Sequence, residues 1–181
     1  MWRITALLML VVLAVPAGAA EHFPASMTPA GQVLQLQGSG ERTRMFIKLY
    51  RVGLYLEEAS ADAAEILGAE RPMNMRLRVE SGMITAEKMQ KATREGFEKS
   101  TSGKTAALEN EIARFMAVYQ SGVEEGDVYD FNYVPGKGTQ LIKNGETQDV
   151  IAGPAFKKAL YGIWLGKQPA QKKLKKALLG G

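Results

Sequence analysis

A chain of 181 residues with no cysteine, one histidine and 23 basic against 19 acidic residues excludes several classes of protein at once. It has no disulfide framework and no cysteine nucleophile, and its charges are too evenly balanced for a nucleic-acid surface. The lone histidine, His22, leaves no Ser-His-Asp triad and no histidine-built metal site.

Residues 1–20 read as a signal peptide rather than as part of the fold. Arg3 supplies the positive start, ITALLMLVVLAV the apolar run, and Pro16 with Ala17, Gly18, Ala19 and Ala20 a small-residue cleavage site. The run is too short to span a bilayer, which takes roughly 20 apolar residues. An exported protein without cysteine has no lipid-anchor site and fits the bacterial periplasm better than a disulfide-rich extracellular setting. Residues 21–181 then have the length of a single domain with one core and no transmembrane segment.

In chain order, VLQLQ (33–37) alternates as a strand, and RMFIKLYRVGLYLE (44–57) reads as a long strand with a bulge or bend at Gly53. Ser60 is placed to cap a short helix that carries Asp62 in its first turn and closes at Gly68. MNMRLRVE (73–80) puts Met73, Met75, Leu77 and Val79 on one face. Thr85 caps a helix whose face is Met89, Ala92, Gly96 and Phe97, and Leu108, Ile112, Phe115, Met116 and Tyr119 stripe another. VYDFNYVP (128–135), TQLIK and ETQDVI form a strand meander, with Asn144-Gly145 as a hairpin signal. Pro154 opens a helix that ends at Gly166, and AQKKLKKALL makes a last basic helix. Strands, helices, strands, helices imply an α+β fold, an antiparallel sheet with helices packed on one face.

Little else in the chain carries chemistry. GSG (38–40) and GKG (136–138) read as turn glycines, and TSGKT (101–105) as a loop between helices. Glu109 and Glu111 are two apart on a helix, so they diverge. KKLKK (172–176) has a narrow apolar face, which favours a solvated helix over a lipid-bound one. The open question is the cationic strand region, where Arg42, Arg44, Lys48 and Arg51 interrupt apolar sequence. Either all of them reach water, or one faces a cavity and pairs with an anionic or carbonyl ligand, since a buried arginine needs a partner.

The segments LQLQGSGERTRMFIKLYRVGLYLE, AEKMQKATREGF, YVPGKGTQLIKNG and GPAFKKALYGIWLGKQP together resemble the chalcone isomerase-like family in its bacterial exported branch. The resemblance implies an open-faced β-sandwich, a large antiparallel sheet covered by helices with a ligand cleft between them. It implies one of two activities without a cofactor: cofactor-independent closure of a chalcone to a flavanone, or binding of a fatty acid by its carboxylate. The family's cleft arginine falls on Arg42. Its strand threonine falls on Tyr50, its helix polar set on Lys88, Lys91 and Glu95, and its polar specificity residue on Ile163. Only Arg42 and Lys91 keep the isomerase chemistry, so the expectation is a binder of a small apolar carboxylate such as a fatty acid. Arg42 would anchor it, Tyr50 and Lys91 assist, and Phe115, Met116, Ile163 and Trp164 form the walls. The alternative is an isomerase that acts on an enone through Arg42, Tyr50 and Lys91.

Overall fold

A computed structural model describes residues 23–181; the expected signal peptide and His22 lie outside the described residues. The chain runs β1 (Ser26–Met27), β2 (Leu34–Arg44), β3 (Ile47–Leu56), α1 (Ala63–Gly68), β4 (Met73–Val79), α2 (Ala86–Ser100) and α3 (Glu109–Ala117), then β5 (Val128–Val134), β6 (Gly138–Lys143), β7 (Glu146–Ile151), α4 (Pro154–Leu165) and α5 (Lys172–Leu178). The seven strands among the described residues pair antiparallel in sequence order, so the sheet is one meander. The α+β architecture expected from the pattern of elements is the one found. No helix among the described residues is long and apolar enough to cross a membrane.

Alternation decides which face is covered. Val52 pairs with Leu77, Leu54 with Met75 and Leu56 with Met73, and Phe131 and Tyr133 continue the row on β5. These side chains are buried against Phe97 of α2, Phe115 of α3 and Phe156, Leu160 and Trp164 of α4 in one core cluster. The opposite face carries Arg51, Gly53 and Tyr55 beside Asn74, Arg76 and Asp130. There Arg76 and Asp130 form a fork pair, with Nε–Oδ1 at 2.8 Å and Nη2–Oδ2 at 2.9 Å.

Four local expectations change. The 44–57 segment is not one strand, because the chain reverses at Met45 and Phe46, both at positive φ (47° and 67°). Gly53 makes no bulge; a Cβ there would sit 2.7 Å from Phe23 Cδ1, so the glycine admits that ring. Gly38 and Gly40 are strand residues rather than turn residues. A Cβ on Gly38 would come within 2.1 Å of the Ala177 carbonyl oxygen, so glycine lets the backbone of α5 lie on β2. Asp62, not Ser60, caps α1, accepting from the amides of Ala64 at 2.7 Å and Glu65 at 3.3 Å. Thr85 caps α2 as expected.

Candidate functional site

A β-bulge builds the site. Leu36 pairs with Tyr55 on the outer face, but after a register shift Gly38 pairs with Leu54 and Arg42 with Tyr50 on the covered face. One extra residue reverses the side-chain parity of everything downstream on the strand. The shift therefore turns Arg42 inward, while Arg44, two residues on, is exposed beyond a second shift. Lys48 pairs at the surface with Glu41 at 2.9 Å. Arg51 stays on the outer face, its guanidinium 5.5 Å from the centre of the Phe23 ring. One cation of the four faces the interior.

Arg42 opens onto a cleft of about 70 Å³ between the sheet and the helices. Tyr50 and Leu77 form the floor, Met89, Thr93 and Gly96 of α2 one wall, and Ile163 and Trp164 of α4 the other, with Phe115 and Tyr119 at the back. Glu95 and Lys99 of α2 and Gln168 after α4 also line it. α2 and α4 meet closely at one seam, where a Cβ on Gly96 would fall 2.9 Å from Ile163 Cγ2.

The polar groups converge on Tyr50. The Trp164 indole Nε1 donates to the Tyr50 hydroxyl at 3.2 Å, and the Arg42 guanidinium carbon lies 6.0 Å from the centre of the Tyr50 ring. Burial pushes the Tyr50 phenol up, against the opposing influence of the Arg42 charge and of hydrogen bonds from Trp164 and Arg42. Tyr50 therefore stays protonated at neutral pH. Its oxygen accepts, while no acceptor for its own proton is found among the described residues. Arg42 Nη1 donates to the Ala170 carbonyl at 2.7 Å. That bond and the one to Tyr50 leave most of the five guanidinium N–H donors without an acceptor among the described residues. Deeper in, Thr93 and Tyr119 share a hydrogen bond at 3.4 Å, and burial pushes the Tyr119 phenol up as well.

Of the expected site residues, Arg42, Tyr50, Phe115, Ile163 and Trp164 line this cleft; Lys91 and Met116 do not. Lys91 is exposed. Successive helix residues are about 100° apart, so a helix that turns Met89, Thr93 and Gly96 inward points Lys91 to water. Lys99, three residues past Gly96 and so on its side of the helix, is the lysine at the rim. Met116 is buried, but its neighbour Phe115 takes the cleft side of α3 and Met116 packs elsewhere in the core. Thr93 of α2 and Tyr119 in the turn after α3 were not among the expected site residues, while Glu95, one of the family's helix positions, does line the cleft. A threonine and a tyrosine set into otherwise apolar stripes were the signal that could have found the first two.

The model of the chalcone isomerase-like family matches residues 17–180, nearly the whole chain. The chain belongs to the chalcone isomerase-like family. A comparison of sequence with curated proteins finds no match. Among solved structures, the chain is similar to a fatty-acid-binding protein of Arabidopsis thaliana. The identity is 15% and the TM-score 0.67, over 87% of this chain and 90% of the other. At that identity the likeness shows the fold, which agrees with the sheet and helical layer of this chalcone isomerase-like chain.

Proposed function

We propose that this chalcone isomerase-like protein is exported to the periplasm and holds a small apolar carboxylate, of the fatty-acid class, between its sheet and its helices. The observation that carries the reading is Arg42, whose donors are mostly unspent and which stands at a mostly apolar cleft beside a tyrosine hydroxyl with a proton to give. A carboxylate accepts from both: two N–H from the guanidinium fork and one O–H from Tyr50. The fatty-acid-binding neighbour of the same fold makes an acyl carboxylate the first ligand class to test. The apolar leader over residues 1–20 supports export.

Size limits the ligand. At about 70 Å³ the cleft has room for on the order of five water molecules, since each needs roughly 10–15 Å³. It accommodates the carboxylate and the first few methylenes. A longer chain buries more of its length if α2 parts from α4 at the Gly96–Ile163 seam, and each further methylene buried returns about 0.8 kcal/mol.

The test is denaturing extraction and mass spectrometry of protein recovered from the periplasm, wild type beside Arg42→Ala, with thermal melting of both to confirm folding. A stoichiometric fatty acid in the wild type that is lost from a folded Arg42→Ala supports the proposal. An empty wild type that turns over an enone, with the rate falling in Tyr50→Phe, would replace binding with isomerisation.

A further inference from the structure

The turn that joins β2 to β3 contradicts its own chemistry. It is a two-residue hairpin with both central residues at positive φ, Met45 at 47° and Phe46 at 67°. Such turns favour Asn-Gly or Asp-Gly, and a bulky side chain in this region is strained. The chain meets the same requirement between β6 and β7 with Asn144-Gly145 (φ 51° and 85°). At the β2–β3 tip it has instead set the two most exposed large apolar side chains among the described residues, Met45 at 83% and Phe46 at 104% exposure. Ile47 is also exposed. Neither side chain joins the core of the described residues, and strain kept without a folding benefit points to an external role.

The surroundings indicate the partner. Arg44 and Lys48 flank the tip and are exposed, and Arg44 has no acidic partner among the described residues. Glu41 is the nearby acid on β2, and Lys48 neutralises it at 2.9 Å. The start of α5 is fastened to the same hairpin, with the Thr43 amide donating to Gln171 Oε1 at 3.1 Å and Gln171 Nε2 donating to Thr43 Oγ1 at 3.3 Å. This brings the exposed Lys172 and Lys173 beside the tip. The apolar face of α5 is not available to lipid, because Leu174 and Leu178 are buried. Lys172, Lys173 and Lys176 face outward, while Lys175 donates to the Gly166 carbonyl at 2.9 Å. Met83, exposed in the β4–α2 loop, lies at the same end of the sheet, where the Glu80 amide bonds the Leu49 carbonyl at 2.9 Å.

We propose that the β2–β3 tip, Met45 and Phe46 beside the cations Arg44, Lys172 and Lys173, docks this protein on an anionic phospholipid bilayer. The two apolar side chains enter the headgroup boundary, and the cations meet lipid phosphates above it. The Arg42 corner of the cleft lies on the same hairpin, so docking brings that corner to the bilayer. The tip's role does not depend on what the cleft binds.

The test replaces Met45-Phe46 by the residues that the turn prefers. The double variant Met45→Asn/Phe46→Gly and the wild type, both recovered in soluble form from the expressing cell, are floated with vesicles of phosphatidylcholine and phosphatidylglycerol, and with phosphatidylcholine alone. The expected result is a variant that melts at the same or a higher temperature yet partitions to the anionic vesicles about tenfold or more weakly, as loss of two buried apolar side chains implies. Wild-type binding also falls as salt rises. Equal partition of variant and wild type overturns the proposal, as does equal wild-type binding to neutral and anionic vesicles. A wild type that ignores both vesicles but self-associates through the tip also overturns it, in favour of a protein contact.

Discussion

Arg42 and Lys157 are both cations withdrawn from bulk water in the same fold, and the chain treats them in opposite ways. Lys157, on α4, is 1% exposed, and its ammonium donates to the carbonyls of Ile66 at 3.3 Å, Leu67 at 3.0 Å and Ala69 at 2.7 Å. Those are the carbonyls that the end of α1 leaves unpaired, at the negative pole of that helix. An ammonium has three N–H donors, and all three are spent. Its charge also lies 5.0 Å from the centre of the Tyr133 ring. Arg42 is half-buried, faces a void and has most of its fork unspent. Donor accounting thus separates a cation that closes a structure from one that waits for a ligand, where sequence would call both simply basic.

The comparison can be broken at its strongest point first. Lys157→Met leaves the end of α1 with orphan carbonyls and is expected to cost about 3 kcal/mol in urea unfolding, while Arg42→Ala, losing one partly exposed bond, costs about 1. Equal losses would mean that Arg42 too is structural. A pH series sharpens the same contrast. Burial lowers Lys157 from its ordinary value to about 8, so from there to the unfolded-chain value of 10.5 the unfolded state binds the extra proton. Stability of the wild type relative to Lys157→Met should therefore rise with pH across that window, by at most about 3 kcal/mol. A flat difference would show that the three carbonyls hold the ammonium charged against its burial.

Ligand titrations come next. By calorimetry with a short-chain fatty acid, Arg42→Ala should weaken binding by roughly 10- to 100-fold, the value of a charge-assisted bond, with Lys157→Met unchanged. Tyr50→Phe removes one neutral donor and should cost about fivefold. The smallest effect is expected at the seam. Ile163→Ala opens the contact with Gly96 and should improve binding of a longer acyl chain relative to a shorter one by a few-fold, roughly one methylene's worth. A longer chain that gains nothing would place the ligand's tail elsewhere.

Much of the fold was legible because its signals are local. Met73–Val79 alternates strictly, Tyr129, Phe131 and Tyr133 share one face, Asn144-Gly145 marks its hairpin, and Pro154 and Gly166 bracket α4. The β2–β3 turn was missed because Met45-Phe46 lacks turn residues and sits inside a β-rich run. The family's pattern puts Lys91 toward the cleft, but the turn-by-turn geometry of α2 sends it to solvent. Thr93 and Tyr119 lie 26 residues apart and meet only when α2 and the end of α3 pack side by side.

By itself, then, the sequence determined which segments are strands and helices and which faces are apolar, because periodicity and caps act between residues a few positions apart. It also carried the residues that mark the family, Arg42 among them. What Arg42 faces was decided only in three dimensions. A bulge between Leu36 and Gly38 shifts the register, and glycines at 38 and 40 let α5 lie flat on the strand. Parity along a strand is local, but a register shift exists only between strands, so the direction of that one side chain was fixed by pairing and packing.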